Sequence, residues 1–291
     1  MASSHGAPAS RYFVPDPSAW PFALTAGIVS VIIGVWAYLE EQDIGPWFTY
    51  AGSALMIFII FRWIRGVARE SEAGAYNAQV DATYRWGMSW FIFSEVMFFG
   101  AFFGALFYAR ELSVPWLGGE GGKANANFLW QGYEAVWPTN GPGHVGGAFE
   151  TIPAWGLPFV NTLLLLSSGV TITLAHHALK ENHRRACILW MWATVGFGVA
   201  FLVCQASEYV HAYHELNLTL GSGVYGSTFF MLTGFHGMHV TLGTIMLITI
   251  TGRLMSGHFK PDSHFGFEGV AWYWHFVDVV WIGLFIFVYV L

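Results

Sequence analysis

The stretch FIFSEVMFFGAFFGALF, residues 91–107, places a single carboxylate, Glu95, inside an otherwise apolar run. A second run, WYWHFVDVVWIGLFIFVYVL at residues 272–291, contains Asp278 and, three residues earlier, His275. A charged side chain at the centre of a bilayer costs about 3 kcal/mol or more. Each of these carboxyls therefore needs a hydrogen-bonding partner or a function, and the two runs predict membrane-spanning helices.

The composition is that of a membrane protein with several spans. Of the 291 residues, 55% are hydrophobic and only 10% are charged, whereas soluble domains carry about 25% charged residues. No basic stripe is present, which argues against nucleic-acid binding. Cys187 and Cys204 lie in apolar segments without CxxC spacing, so we interpret them as packing residues. Residues 1–19 show no signal-peptide pattern and predict an extended cytoplasmic segment.

Seven apolar runs are long enough to cross a bilayer, which takes about 20 helical residues. Trp and Tyr occur near many of their ends, as expected at a membrane–water interface. The sequence therefore predicts an all-α membrane protein with seven transmembrane helices. The predicted helices are Trp20–Leu39, Trp47–Trp63, Trp86–Tyr108, Ile152–Leu179, Ala186–Ser207, Val224–Ile250 and Val270–Leu291.

The spacing of these runs divides one membrane domain into segments. A first helix pair at residues 20–63 is followed by a charged loop predicted at residues 64–85, and five helices follow in residues 86–291. The loop of residues 111–151 is long and rich in Gly, Asn, Trp and Pro. We expect it to form an ordered cap or a docking surface on the outer side.

Lysine and arginine are distributed unequally between the two sides of the predicted membrane. Only Arg110 and Lys123 fall on one side, whereas the other ten basic residues fall on the opposite side. The positive-inside rule then predicts that the N-terminus is inside and the C-terminus outside. The ten residues are Arg11, Arg62, Arg65, Arg69, Arg85, Lys180, Arg184, Arg185, Arg253 and Lys260.

Histidines and carboxylates occur in pairs within the predicted helices. Residues three apart share a helix face. The pairs at this spacing are His236 with His239, Glu208 with His211, and His275 with Asp278. Imidazole groups suit zinc or haem iron, but no third and fourth ligands accompany His236 and His239. Hydrogen bonds across helices are therefore the favoured interpretation, and for Asp278 we expect one to a polar side chain.

Two interpretations stay open for Glu95 and for the basic residues of the inner side. Glu95 is either a carboxyl that exchanges protons or a structural hydrogen-bonding group between helices. Arg65 and Arg69 follow Trp63 on one helical face. They either anchor the chain at the interface by snorkelling, which is the commoner role, or bind lipid phosphates.

Several motifs together identify a known family. The chain resembles subunit III of haem-copper cytochrome c oxidase, and the matching stretches spread from Asp16 to Leu291. They are DPSAWP, WIRGVARES, FIFSEVMFFGAFF, AHHAL, QASEY, VYGSTFFMLTGFHGMHVTLG and HFGFEGVAWYWHFVDVVWIGLF. The long signatures in the sixth and seventh helices are the most specific. The loop of residues 111–151 is the main departure, and only WPTNG within it resembles the family.

The resemblance implies a subunit of a proton-translocating oxidoreductase that has no catalytic centre, metal or other cofactor of its own. Its partners would be subunit I, which holds the haems and a copper and forms the main contact, and subunit II, which carries a binuclear copper site. The complex would transfer electrons from cytochrome c to oxygen and pump protons. Subunit III would stabilise subunit I, sustain its proton uptake and protect it from inactivation during turnover.

The resemblance also implies sites for lipids. The first two helices would lean away from the other five, and phospholipids would fill the resulting V-shaped cleft. Arg69 and Arg253 match basic residues at lipid headgroups, with Trp63 and Glu70 beside them, and Arg65 precedes Arg69 by one turn.

The family also carries an intramembrane glutamate, which Glu95 matches. The resemblance implies that its neighbour is His236 or His239. Together with His275 and Asp278, these are the proton-related residues that we expect within the membrane.

Three alternatives differ in testable features. Subunit III of a quinol oxidase resembles this chain but has five helices and lacks the first pair. A retinal-binding pump needs a lysine in its last helix, yet Lys123, Lys180 and Lys260 all lie outside the predicted helices. A stand-alone transporter would often show internal repeats and broken helices, which the sequence lacks. For the membrane, we favour a bacterial inner membrane over the mitochondrial inner membrane.

Overall fold

The computed structural model describes residues 13–14, 17–121 and 128–291. This part of the chain has seven helices that are long and apolar enough to cross a membrane, and no β-strand beyond an isolated bridge between Lys260 and Ser263. The prediction of an all-α protein with seven transmembrane helices is therefore confirmed. Most of residues 1–19, with Arg11 and Asp16, and residues 122–127, with Lys123, lie outside the described residues.

Three of the seven helices carry a proline in their first turn, where the missing N–H leaves no hydrogen bond unmade. These prolines are Pro21, Pro46 and Pro158. The helices are α1 (Trp20–Leu39), α2 (Gly45–Glu72), α3 (Ala78–Tyr108), α4 (Leu157–Lys180), α5 (Arg184–His214), α6 (Gly223–Met255) and α7 (Phe265–Leu284).

The charged loop predicted at residues 64–85 is mostly helical. The helix α2 continues to Glu72 and α3 begins at Ala78, so only residues 73–77 connect them. Hydropathy detects the apolar part of a helix, whereas Arg and Glu are good helix formers that extend the helix beyond that part. The predicted ends of these two helices were therefore wrong.

The start of the predicted outer loop is also helical. The helix α3 passes into a π-helical turn at Ala109–Ser113 and then into one further turn at Val114–Leu117. Irregular connection begins only after this point. At the other end of the chain, α7 passes into a π-helical turn at Phe285–Val290.

The chain divides into two compact units, Met1–Tyr84 and Arg85–Leu291. In the first unit, α1 and α2 pack closely through glycines spaced seven residues apart. A Cβ added to Gly52 would lie 2.8 Å from the carbonyl oxygen of Gly27, and one added to Gly45 would lie 2.9 Å from that of Gly34. Small residues allow backbones to approach in this way within membranes.

The core of the second unit forms around Trp274 of α7, whose side chain is fully buried. Its Nε1 donates a hydrogen bond to Ser168 Oγ of α4 at 2.8 Å. A Cβ added to Gly198 of α5 or to Gly243 of α6 would lie 2.9 Å or 2.8 Å from the indole ring. One side chain of α7 therefore contacts α4, α5 and α6.

A second tryptophan repeats this contact seven residues later. Trp281 is fully buried, and its Nε1 donates to Thr162 Oγ1 of α4 at 2.9 Å. Phe201 of α5 meets its ring edge-on with centroids 4.8 Å apart. Water does not supply hydrogen bonds in the hydrocarbon region, so these two indole–hydroxyl bonds fix both the depth and the rotation of α7 against α4.

Candidate functional site

The carboxyl of Glu95 on α3 lies against α6 in the second unit. Its Oε2 is 3.0 Å from Nε2 of His239, and its side chain is 22% exposed. Of the two candidate neighbours, the structure places His239 and not His236 at hydrogen-bonding distance. This contact joins α3 to α6 through two side chains that are costly to leave unpaired in lipid.

The hydrogen bonds of His239 determine how many protons the pair holds. Its Nδ1 lies 2.6 Å from the carbonyl oxygen of Phe235, so Nδ1 carries a hydrogen and donates it. The contact between Nε2 and Glu95 Oε2 then requires one further proton between these two atoms. The pair is either a carboxylic acid with a neutral imidazole or a carboxylate with an imidazolium. Its net charge is zero in both forms.

Aromatic rings enclose the imidazole of His239. The centroids of Phe98, Phe99, Tyr273 and Phe276 lie between 5.0 and 6.3 Å from that of His239. The side chain is only 7% exposed, whereas that of Glu95 remains partly accessible. The carboxyl is therefore the more accessible side of the pair.

His236 has a different partner from His239. Its Nε2 lies 3.2 Å from the carbonyl oxygen of Val277 and donates to it, which joins α6 to α7. Its ring packs on Trp281 at 5.1 Å and against Phe201 at 5.7 Å, and the residue is 1% exposed. His236 therefore supports the packing of α7 rather than Glu95.

Asp278 and His275 lie where α7 packs against α4. The two side chains are 3.8 Å apart between Oδ2 and Nδ1, and His275 Nε2 is 3.4 Å from Thr173 Oγ1. A Cβ added to Gly169 of α4 would lie 2.7 Å from Asp278 Oδ2. The side-chain partner expected on another helix is absent for Asp278 Oδ1 among the described residues. The residue of α4 that approaches this carboxyl is Gly169, which offers no side-chain partner.

A cavity of about 400 Å³ borders this acid–imidazole pair. Apart from Thr173, His275 and Asp278, its lining is aliphatic or glycine. The carboxyl of Asp278 is thus buried beside apolar groups, and its nearest basic group is on its own helix.

One buried carboxyl site could not be found from sequence spacing. Glu208 is 2% exposed, and its Oε1 accepts hydrogen bonds from Tyr289 Oη at 2.6 Å and from Gln205 Nε2 at 3.3 Å. The expected neighbour His211 instead pairs with Glu215 at 3.0 Å. Tyr289 lies 81 residues beyond Glu208, so only the folded bundle brings the two together.

The residues expected at lipid headgroups in the first unit lie on α2. Those exposed are Trp63, Arg65 and Arg69. The side chain of Glu70 accepts a hydrogen bond from Tyr76 Oη at 2.8 Å, a partner that the sequence did not predict. Burial, followed by the hydrogen bonds to Tyr84 and Glu70, raises the pKa of the Tyr76 hydroxyl. This hydroxyl therefore stays protonated and donates to Glu70.

The basic residue expected at a lipid headgroup in the second unit is Arg253, in the last turn of α6. Its guanidinium carbon lies 4.8 Å from the ring centroid of Phe259, a cation–π distance. The contact with Phe259 therefore holds the Arg253 side chain near the end of α6.

Three further side chains with metal-ligating atoms converge at the ends of α4 and α7. They are His176, His264 and Glu268. The sequence analysis did not group them, because His176 and His264 are 88 residues apart. The signal that could have found them is the presence of AHHAL and HFGFE at helix ends that antiparallel packing brings to one side of the bundle.

The geometry at Glu95 predicts different effects for two substitutions. Because His239 Nε2 can accept from an amide, Glu95→Gln keeps the bond, whereas Glu95→Ala leaves the imidazole without its partner. Polar bonds between membrane helices contribute about 0.6–2 kcal/mol. We therefore expect Glu95→Ala to lower the free energy of unfolding by about this amount and Glu95→Gln to lower it much less, as measured by helical circular dichroism in detergent.

Ser94→Ala serves as the control, since Ser94 is exposed and bonds only to the backbone of its own helix, at Phe91. Equal losses of stability in Glu95→Gln and Glu95→Ala would contradict the assigned hydrogen bond.

Comparison with known proteins agrees with this architecture. The family model for cytochrome c oxidase subunit III matches residues 10–122 and 128–291. The cytochrome c oxidase subunit 3 of Marchantia polymorpha is 39% identical over 279 residues, which cover 96% of this chain and 95% of that protein. The subunit 3 of Hippopotamus amphibius is 38% identical, and the match covers 96% of this chain and 96% of that protein. The subunit 3 of Arabidopsis thaliana is 37% identical, and the match covers 96% of this chain and 95% of that protein. The chain belongs to the cytochrome c oxidase subunit III family.

Proposed function

We propose that this chain is the non-redox subunit III of an oxidase that transfers electrons from cytochrome c to oxygen and couples this reaction to proton pumping. The observation that carries the proposal is the family match along nearly the whole chain. The geometry is compatible with a supporting role. His236 and His239 each bond to a protein group, a carbonyl and a carboxyl, instead of presenting two imidazoles to a shared ligand.

The partners that we propose are subunit I as the main contact and subunit II, with haem and copper held by those chains. Cytochrome c is then a substrate of the complex and not of this chain. The helices offer broad apolar faces for such contacts. On α5, for example, Leu189, Trp192, Val199 and Val203 are all exposed. By covering subunit I, the chain would stabilise it and sustain its proton uptake.

A quinol oxidase subunit III is the near alternative. The tightly packed pair of α1 and α2 favours the cytochrome c enzyme, because the five-helix subunit III chains of quinol oxidases lack this pair. The names of the relatives point the same way. A stand-alone transporter finds no support in the family match.

We further propose that the membrane is the inner membrane of a bacterium, with the N-terminus inside. The identities to relatives from Marchantia polymorpha, Hippopotamus amphibius and Arabidopsis thaliana lie within 37–39%. Nearly equal distance from plant and animal proteins is expected of a lineage outside both. The orientation is supported by the excess of Lys and Arg on one side.

Phospholipid binding is a second part of the proposal. Arg69 lies in the last turn of α2, next to Glu70 of the Glu70–Tyr76 pair, and Arg253 lies in the last turn of α6 over the ring of Phe259. A basic group near a helix end at the membrane interface attracts lipid phosphate. We propose that both arginines bind lipid headgroups, with Trp63 and Arg65 contributing on α2. The V-shaped cleft stays a prediction from the family.

The class of the protein can be tested by purification. With an affinity tag on this chain, we expect haem-bearing and copper-bearing subunits to co-purify from detergent extracts of the native membrane. The chain separated from them should show neither haem absorbance nor bound copper. A stoichiometric haem or copper spectrum in the separated chain would contradict the proposal, as would its isolation without partners under conditions that keep oxidases intact.

Lipid binding can be tested with Arg69→Gln and Arg253→Gln together. We expect the purified complex to lose at least one phospholipid per copy of this chain, as counted by mass spectrometry of extracted lipid. Arg185→Gln is the matched control, because Arg185 is an exposed arginine at the start of α5. Unchanged lipid content in the double variant would contradict the assignment of these two arginines.

A further inference from the structure

The cluster of His176, His264 and Glu268 is not used by the proposed function. His176 lies in the last turns of α4, His264 is the residue before α7, and Glu268 is in the first turn of α7. The side chains are 24%, 8% and 13% exposed, respectively. The cluster is therefore mostly enclosed, with a solvent-accessible edge at His176.

The donor atoms of these three side chains converge. His176 Nε2 is 3.1 Å from His264 Nε2 and 3.8 Å from Glu268 Oε1, and His264 Nε2 is 3.3 Å from the same oxygen. A point equidistant from all three atoms lies about 2.0 Å from each, the circumradius of a triangle with these sides. Zinc takes histidine nitrogen at about 2.0–2.1 Å and carboxylate oxygen at about 2.0–2.2 Å.

Neighbouring groups orient two of these donors toward that point. His264 Nδ1 lies 3.1 Å from the carbonyl oxygen of Lys260 and donates to it, so in the neutral ring Nε2 carries the lone pair. Arg85 donates to Glu268 Oε2 from Nη2 at 2.8 Å and from Nε at 3.0 Å, which leaves Oε1 directed to the imidazoles. Such bonds from surrounding groups are the usual support of metal ligands.

His176, the third donor, can bind a metal through Nε2 after a change of tautomer. Since His264 Nε2 accepts, the 3.1 Å contact has His176 Nε2 as its donor. Metal binding moves this hydrogen to Nδ1 of the same ring through solvent, which reaches the partly exposed side chain. No net proton is released from the imidazoles.

We propose that His176, His264 and Glu268 bind a zinc ion, with the fourth position open to water. Two histidines and one glutamate form a known zinc ligand set for such open sites. Arg85 and Lys180, which follows His176 by four residues, add positive charge nearby. We therefore expect reversible binding rather than a permanently held ion. All three ligands belong to this chain, so the site does not depend on the proposed function.

The test uses the intact complex that contains this chain. After removal of metal with a chelator, equilibrium dialysis against zinc chloride is followed by elemental analysis. We expect one zinc ion fewer per copy in His176→Gln and in His264→Gln than in the unaltered protein. His177→Gln is the matched control, because His177 is exposed and adjacent in the same helix. Equal zinc content in all four proteins would overturn the proposal.

A second measurement needs no variant and so does not depend on their folding. Crystals of the unaltered protein soaked in zinc chloride are measured at the zinc absorption edge. We expect an anomalous peak about 2.0–2.2 Å from each of the three donor atoms. At zinc concentrations that fill other sites, the absence of this peak would also overturn the proposal.

Discussion

The docking of α7 through Trp274 is the interaction on which the second unit depends. The indole donates to Ser168 of α4 and occupies the space left by Gly198 and Gly243, so it fixes three neighbouring helices at once. In the hydrocarbon region burial of apolar side chains does not by itself hold helices together, and close packing with interhelical hydrogen bonds takes its place. Here both are supplied by one buried side chain.

The polar sites of the bundle follow from this docking. His236 donates to the backbone of α7 at Val277, and Tyr273 of α7 packs against His239. Tyr289, in the turn that follows α7, donates to Glu208. Each site gives a costly side chain a partner within the protein. At Glu95 and His239 the two partners lie 3.0 Å apart and join α3 to α6.

The zinc site and the Glu95 pair illustrate two different uses of the same residue types. In both sites, a backbone carbonyl accepts a hydrogen bond from Nδ1 of a histidine, so that Nε2 of the same ring faces a carboxyl. At His239 a single carboxyl oxygen faces that nitrogen, and aromatic rings enclose it. At His264 a second imidazole joins the carboxyl, and Arg85 holds the other carboxyl oxygen. A histidine that meets one carboxyl forms a hydrogen-bonded pair, whereas a histidine that meets both a carboxyl and a second imidazole can form a cation site.

Much of this architecture could be predicted from sequence, because long apolar runs specify spans almost independently of their neighbours. The carboxyls in the membrane were recognisable for the same reason, since Glu95 is conspicuous within its run. The extension of α2 to Glu72 was missed because hydropathy measures contact with lipid and not helicity.

Contacts between distant segments were not predictable by spacing. The bond between Tyr289 and Glu208, and the convergence of His176 on His264, depend on how the helices are rotated against each other. The glycine spacing of α1 and α2 is visible in the sequence, but which glycines lie at a helix contact is known only from the fold. Gly100 and Gly104 of α3 have the GxxxG spacing that is common at membrane helix contacts, yet an added Cβ at either position would meet no atom within 4 Å.

The most direct test of the role of α7 is amide hydrogen exchange in Gly243→Ala. An added Cβ would lie 2.8 Å from Trp274, whereas one at Gly237, on the same helix, would meet no atom within 4 Å. Overpacking of this kind costs about 1–3 kcal/mol. We predict that exchange along α4 and α7 is about fivefold or more faster in Gly243→Ala, with α1 and α2 unchanged and Gly237→Ala like the unaltered protein. Equal protection of α7 in both variants would contradict this prediction.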